Sequence, residues 1–185
     1  IQIADSTTLE PTTITIESWI KGNGLKGNLI LVTKGTTATV EGGNGYYFRM
    51  NDDNDLQCLV GKGVGSASAT TSLNLIDDSW HHTICTADSS SINIYVDGVN
   101  RGTVVTSSSL SLGNAGNLFI GSNGGTQHFF NGTIDEVKIW NIVLSADEIA
   151  KHYSKGRGLG NITTTDDLSV SVNSSNNTAL DADND

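Results

Sequence analysis

The carboxylate and imidazole side chains of this chain are not spaced for catalysis. A glycoside hydrolase needs two carboxylates that flank a cleft, about 5–5.5 Å apart when configuration is retained. Asp135 and Glu136 are adjacent in a strand-like run, so they point to opposite faces. His81 and His82 diverge for the same reason, and no third ligand at metal spacing accompanies them. A serine nucleophile elbow is also absent, so the sequence predicts a domain that is not an enzyme.

Aromatic and amide side chains beside predicted turns suit a different chemistry, the binding of sugar. Such a surface needs an exposed aromatic ring with amides or carboxylates nearby. The candidates are aromatic, imidazole and amide residues at loop edges: Tyr46, Tyr47, Phe129, His128, Asn44, Asn123 and Gln127. Strand alternation also predicts that Phe130 and one of the two tyrosines belong to the core, which is the more common place for any single aromatic.

Two groups of aspartates have the oxygen chemistry of a cation site. They are Asp52, Asp53 and Asp55, and Asp181, Asp183 and Asp185. Leu56 stands where a calcium loop needs glycine, so a solvated hairpin tip is favoured for the first group. The second group alternates like the first half of a calcium loop, whose glycine and distal acid would lie beyond the last residue. An acidic linker explains it equally well.

Cysteines and sequons point to the compartment without fixing it. Cys58 and Cys85 both lie in strand-like runs, and their spacing fits two buried free thiols as well as a disulfide between neighbouring strands. Four sequons would permit glycosylation in a secreted protein, although such tripeptides also arise by chance in a chain rich in Asn, Ser and Thr. The chain begins at Ile1 without methionine or signal peptide, which predicts a processed product or an excised fragment.

Short strands position these residues. The chain has 21 glycines and a single proline, and strand-forming Thr and Val are abundant while helix formers are scarce. About a dozen short runs read as strands, and Asp97-Gly98 predicts a type I′ hairpin turn. Alternating β and α segments and internal repeats are absent. This pattern predicts an all-β sandwich or jelly roll.

One helix is predicted after the last strand. Ser145 and Glu148 have the spacing of a capping box, and Leu144 can pack on Ile149 as a hydrophobic staple. Gly156 is predicted to end the helix.

Charge and composition change near the end of the chain. We predict a domain over residues 1–157 and an acidic Ser/Asn-rich tail or linker over residues 158–185. The net charge is −10 and no basic stripe is present, which argues against nucleic acid and against an anionic membrane. No apolar run approaches the ~20 residues needed to span a bilayer.

Three segments in order resemble the laminin-G-like, or concanavalin-A-like, jelly-roll family, in its pentraxin-like branch. They are Ile14-Thr-Ile-Glu-Ser-Trp19; Trp80-His-His-Thr-Ile-Cys-Thr86 with Ile94-Tyr-Val-Asp-Gly98; and Phe130-Asn-Gly-Thr-Ile-Asp-Glu-Val-Lys-Ile-Trp140 followed by Leu144-Ser-Ala-Asp-Glu-Ile149. The resemblance implies an all-β, two-sheet antiparallel jelly-roll sandwich with one short C-terminal helix. It also implies structural roles for Trp19, Trp80 and Trp140, at family core positions.

The resemblance implies calcium of one kind and argues against another. The loop Gly121–His128 lacks the carboxylates of the pentraxin double-calcium site, so that site is predicted to be missing. A structural calcium is common in the wider superfamily, and Asp135 lies at such a position, with Asp5 and Gly43 as neighbours. The alternative is that Asp135 caps a turn by hydrogen bonding.

These inferences together predict an extracellular or cell-surface recognition module without catalytic activity. Its partner would be a glycan, or an extracellular protein on a cell surface. The alternative is a structural or adhesive subunit whose tail, residues 161–185, docks onto a neighbouring copy by β-strand addition. A third and weaker interpretation is an accessory domain of a secreted hydrolase.

Overall fold

The computed structural model describes residues 1–24, 27–35, 44–106 and 109–158, and within them eleven strands form two antiparallel sheets. In chain order the strands are β1 (Gln2–Ile3), β2 (Ile14–Gly22), β3 (Leu29–Lys34), β4 (Tyr46–Met50), β5 (Leu56–Gly61), β6 (Ser66–Thr70), β7 (Trp80–Ala87), β8 (Ser91–Val96), β9 (Val99–Val105), β10 (Leu118–Ile120) and β11 (Gly132–Trp140). A 3₁₀ turn (Thr7–Leu9) lies between β1 and β2, and one helix, α1 (Ala146–Gly158), follows β11.

The sheets have six and five strands. The six-stranded sheet has the order β1-β10-β3-β4-β5-β6, and the five-stranded sheet has the order β11-β2-β7-β8-β9. Alternate residues of each strand face the other sheet, and Ile14, Ile16, Phe48 and Ile94 are fully buried between them. The predicted two-sheet antiparallel sandwich with a C-terminal helix is confirmed. No helix among the described residues is long and apolar enough to cross a membrane.

A disulfide joins the two sheets. Cys58 on β5 and Cys85 on β7 are fully buried and bonded, with their Cα atoms 6.0 Å apart. The free-thiol alternative is therefore wrong. A bridge between neighbouring strands is also wrong, because β5 and β7 belong to opposite sheets.

Helix α1 begins as its sequence predicts. The Ser145 backbone N–H donates to Glu148 Oε2 at 2.8 Å, and the Glu148 N–H donates back to Ser145 Oγ at 3.3 Å, which completes the capping box. Leu144 and Ile149 pack together on Ile84 of β7. This contact attaches the first turn of the helix to the outer face of the five-stranded sheet.

Gly156 has a different role from the one predicted. The helix continues past it to Gly158, so it is not the stop signal. A Cβ atom at Gly156 would lie 2.4 Å from a ring carbon of Trp19, far inside van der Waals contact. The glycine therefore allows the helix to approach the sheet closely.

The three tryptophans differ in how far they are buried. Trp19 and Trp140 are half-buried, whereas Trp80 is 45% exposed at the start of β7, so a core position for Trp80 is wrong. Asp97 and Gly98 both have positive φ, as the predicted type I′ turn requires. The predicted boundary after residue 157 stays a prediction, because nearly all of the tail lies outside the described residues.

Candidate functional site

The outer face of the six-stranded sheet presents two rows of side chains. Residues opposite one another in an antiparallel ladder point to the same face, so the strand register defines each row. The first row is Gln2, Phe119, Thr33, Tyr47, Leu59 and Ser68. The second row is Ile30, Arg49, Gln57 and Thr70.

Neither tyrosine of the predicted sugar-binding set is an exposed ring. Tyr46 faces the core and is 0% exposed, and its hydroxyl donates to the Leu9 carbonyl at 3.3 Å. Tyr47 faces outward as alternation requires, yet it is only 2% exposed, beside the buried Ile30. Burial raises the pKa of both phenols. One tyrosine in the core was predicted correctly, but the expectation that these residues offer an open aromatic surface is wrong.

The second row carries connected polar groups. Arg49 and Gln57 are half-buried, and Arg49 Nε donates to Gln57 Oε1 at 2.8 Å. Gln57 Nε2 donates to Thr70 Oγ1 at 3.2 Å. Arg49, Gln57 and Thr70 are called the Arg49 row. Their two hydrogen bonds orient the Arg49 guanidinium. A guanidinium has five N–H donors and this contact uses one, so the rest can serve a hydroxyl or carboxylate ligand.

Sequence reasoning missed the Arg49 row, although a signal for it exists. Arg49 and Gln57 are the polar positions of two apolar runs, Tyr46–Met50 and Leu56–Gly61, on either side of a predicted hairpin tip. Pairing that hairpin would have placed both residues opposite each other on the solvent face.

The loop between β10 and β11 extends the sheet beside Ile30. The Gly121 N–H donates to the Leu31 carbonyl at 2.9 Å, and the Ile30 N–H donates to the His128 carbonyl at 3.0 Å. The Phe130 N–H donates to the Gly121 carbonyl at 2.9 Å, which closes the base of the loop. Since Ile30 pairs with Arg49, the His128 backbone lies at the end of the second row.

The side chains of this loop divide into exposed and structural ones. Phe129 is 57% exposed, and Gln127 and His128 are exposed beside it. Asn123 is buried, its N–H donates to the Gln127 carbonyl at 2.8 Å, and its own carbonyl accepts the Thr126 N–H at 3.2 Å. Asn123 therefore shapes the turn and is not available at the surface, while the other three residues are.

Asn44 lies away from this group. Asn44 lies two residues before the start of β4. The loop instead adjoins Ile30, and Ile30 pairs with Arg49 near the other end of β4. Its Oδ1 accepts the Ser111 hydroxyl at 2.6 Å. Of the seven predicted ligand-binding residues, the structure thus brings Gln127, His128 and Phe129 together and separates Asn44 from them.

Asp5 and Asp135, two of the residues suggested for structural calcium, each have a hydrogen-bond partner in the structure. Asp5 Oδ1 lies 2.6 Å from Lys34 Nζ at the six-stranded sheet. Asp135 is on β11 of the five-stranded sheet. Its Oδ1 accepts the Glu136 N–H at 2.8 Å, a local hydrogen bond of the kind that the turn-capping alternative predicts. In the described ranges no three or more His, Cys, Asp or Glu side chains are placed to hold a metal ion. Gly43 lies outside the described residues, as do Asp181, Asp183 and Asp185, so calcium binding stays a prediction.

The aspartates of the 51–55 hairpin tip are arranged around hydrogen bonds within the turn. Asn51 Oδ1 accepts the N–H groups of Asp53 and Asp55 at 3.0 and 2.9 Å. The Asp52 carboxylate accepts from Asn28 Nδ2 at 3.1 Å. This geometry fits the predicted hairpin tip.

A buried cluster of ionisable groups lies on the other sheet, beneath helix α1. His82 Nε2 is 2.8 Å from Glu17 Oε1, and His152 Nδ1 is 3.0 Å from Glu17 Oε2. Burial by itself raises the pKa of Glu17, but the hydrogen bonds from His82 and His152, helped by Lys138 at 3.9 Å, outweigh it and leave the pKa lowered. Glu17 and His82 are each 1% exposed, and the bond from His152 to Glu17 fastens the helix to the sheet.

Comparisons with known proteins agree with this architecture. Residues 1–150 match the family model described as the concanavalin A-like lectin/glucanases superfamily. No curated protein matches the chain in sequence. Solved structures do match, at identities that support the fold alone.

Three of these structures illustrate the likeness. The CBM40 domain of the Ruminococcus gnavus IT-sialidase, bound to α2,3-sialyllactose, has 14% identity and a TM-score of 0.67, covering 83% of this chain and 95% of that one. Domain 4 of AbnA, an extracellular arabinanase of Geobacillus stearothermophilus, in complex with arabinotriose, has 16% identity and a TM-score of 0.64, covering 81% and 70%. The binding domain of Paraclostridial Mosquitocidal Protein 1 has 13% identity and a TM-score of 0.64, covering 84% of this chain, which spans only 40% of that structure.

Proposed function

We propose a carbohydrate-binding role, without catalysis, for this chain, which belongs to the concanavalin A-like lectin/glucanases superfamily. Two of the similar structures hold a sugar, sialyllactose in one and arabinotriose in the other. They support the class of ligand but not its identity, because a shared fold does not fix a site.

The observation that carries the proposal is the Arg49 row and its junction with the exposed Phe129. The Arg49 row crosses three adjacent strands from Arg49 to Thr70, so it spans about 10 Å at the usual strand spacing. That length exceeds one sugar ring and suits an oligosaccharide. Phe129 supplies an apolar ring for the face of a sugar, and Arg49 supplies donors for hydroxyl or carboxylate oxygens.

An extracellular or cell-surface location is part of the proposal. The buried disulfide between Cys58 and Cys85 supports it, because such bonds persist in oxidising compartments. Glycosylation at the sequons would be consistent with the same location.

A glycan array probed with purified protein, with calcium and again with a chelator, tests this function. We expect the wild type to bind a defined group of oligosaccharides. Arg49→Gln should weaken the best of these interactions about 10- to 100-fold, the value of a charge-assisted hydrogen bond. Phe129→Ala should weaken it about tenfold through the loss of apolar contact.

Two matched variants control for nonspecific effects. Val105→Ala removes an apolar side chain of the five-stranded sheet that is 82% exposed, and Trp80→Ala removes a large aromatic that is 45% exposed. Both should bind as the wild type does, and all four variants should melt near the wild-type temperature. A wild type that binds no glycan would contradict the function. Binding that is lost in Trp80→Ala and kept in Arg49→Gln would contradict the site.

A further inference from the structure

Lys34 is buried completely and its ammonium is saturated with oxygen ligands. The side chain points inward from β3 and is 0% exposed. Nζ donates to Asp5 Oδ1 at 2.6 Å, to the Asn114 carbonyl at 2.6 Å and to the Gly116 carbonyl at 2.7 Å. An ammonium has three N–H donors, and each one has an acceptor here.

A second carboxylate and a set of backbone contacts close this site. Glu10 Oε1 lies 3.6 Å from Lys34 Nζ and also accepts the Asn114 N–H at 3.2 Å. Asn114 Nδ2 donates to the Lys34 carbonyl at 3.2 Å. Gly45 has a φ of +103°, and a Cβ there would lie 2.1 Å from the Lys34 carbonyl oxygen, so only glycine allows this approach.

The oxygen atoms around Nζ are those that a hard cation selects. Two carboxylates and two backbone carbonyls form a typical part of a calcium site, whose metal–oxygen distances are about 2.3–2.6 Å. The predicted calcium ligand Asp5 does face a cation, but that cation is the lysine ammonium. A divalent ion cannot share Asp5 and the two carbonyls with Nζ at these distances.

We propose that the Lys34 ammonium is a built-in structural cation. It holds residues 5–10 and 113–117 against the six-stranded sheet without a metal. Removing it leaves an oxygen site with two carboxylates, which then admits calcium. This inference does not rest on the proposed carbohydrate binding, and its test is independent of any glycan.

Thermal melting of chelator-treated Lys34→Ala, with and without added calcium, tests the proposal. Loss of the ammonium leaves Asp5 and Glu10 without their shared cation, so we expect the melting temperature to fall by about 10 °C. Added calcium should raise the melting temperature again and reverse a large part of that fall, because the shortened side chain leaves space for the ion and its waters. In the Asp5→Asn/Lys34→Ala double variant the calcium response should disappear.

Lys21→Ala is the matched control, since it removes a lysine from an exposed pair with Asp78 at 3.3 Å. It should melt within about 2 °C of the wild type and gain no calcium response. If Lys34→Ala does not fold without calcium, the recovery of folded protein on adding calcium becomes the measurement, and no recovery would count against the proposal. The double variant should fold, because it lacks one carboxylate as well as the ammonium, and failure to fold would count against the proposal.

Two further results would overturn the inference. One is a Lys34→Ala protein that melts like the wild type or ignores calcium. The other is an intact wild-type mass lower by one water molecule, since that would show an amide between Lys34 and Asp5 in place of an ammonium.

Discussion

At the scale of single residues, Glu17 shows how a buried charge is kept ionised. Each of its carboxylate oxygens faces one imidazole, from His82 on the sheet and from His152 on the helix. Isolated carboxylates are costly in such surroundings, and paired ones depend on their partners. The stability of the helix–sheet contact should therefore depend on the ionisation of Glu17.

We predict that Glu17→Gln lowers the free energy of unfolding by about 3 kcal/mol at pH 7. The folded pKa of Glu17 is lower than its ordinary value of 4.5, so its contribution is fully present above pH 4.5 and is lost as the pH falls through the folded pKa. The difference in unfolding free energy between wild type and Glu17→Gln should thus shrink below pH 4. Urea unfolding from pH 3 to pH 7 measures this.

Glu136→Gln is the matched control, because Glu136 is half exposed and pairs with Lys138 at the surface. Its unfolding free energy should stay within about 0.5 kcal/mol of the wild type at each pH. A Glu17→Gln deficit of equal size at pH 3 and pH 7 would show that the cluster contributes packing and not charge.

The sequence predicts single residues as far as alternation reaches. A period of two requires that Tyr46 and Tyr47 face opposite sides, and the structure agrees. Alternation cannot show that Tyr47 is covered on its outward side, because that depends on packing far along the chain. For the same reason alternation does not identify Arg49 as a site residue, since strand register places Gln57 and Thr70 beside it.

At the scale of elements, the sequence predicts features that depend on local signals and does not predict those that depend on distant residues. The capping box of α1 involves residues within one turn, so the sequence alone predicts it. Gly156 carries an ambiguous signal, since glycine both ends helices and permits close contact. Only the position of Trp19 on the facing sheet decides between these roles, and no local pattern contains it.

We predict that the Cys58–Cys85 disulfide stabilises the sandwich by about 3–4 kcal/mol. It closes a loop with a sequence separation of 27 residues in the unfolded chain and links opposite sheets in the folded one. Denaturant unfolding with and without reductant, on wild type and on the Cys58→Ala/Cys85→Ala double variant, measures the effect. Reductant should destabilise the wild type and leave the double variant unchanged. A wild type that ignores reductant even when unfolded would show that the bond does not form.

At the scale of the whole molecule, three features occupy separate regions of the sandwich. The Arg49 row lies on the outer face of the six-stranded sheet, the Glu17 cluster lies beneath the helix on the other sheet, and Lys34 faces inward and fastens the N-terminal segment. Glu17 and Lys34 are buried at the centres of the last two regions, whereas Phe129 beside the first is 57% exposed. Under the proposed function, recognition belongs to the first region, and the other two regions contribute to stability.

The fold could be predicted from the sequence because its strand motifs occur in order, and those motifs encode core packing. The site could be predicted only in part. Loop residues near Phe129 were identified from their types, whereas the row they join depends on how four strands align. The resemblance predicts calcium beside Asp5, whereas the structure places the Lys34 ammonium 2.6 Å from Asp5 Oδ1.

Backbone amide NMR during titration with the glycan that binds best tests the central claim most directly. The account predicts chemical-shift changes that centre on Arg49, Gln57 and the loop 127–129 and that saturate together. It predicts no comparable changes around Glu17 or along helix α1. Changes that centre on Trp80 and the helix, with the Arg49 row unaffected, would contradict the account.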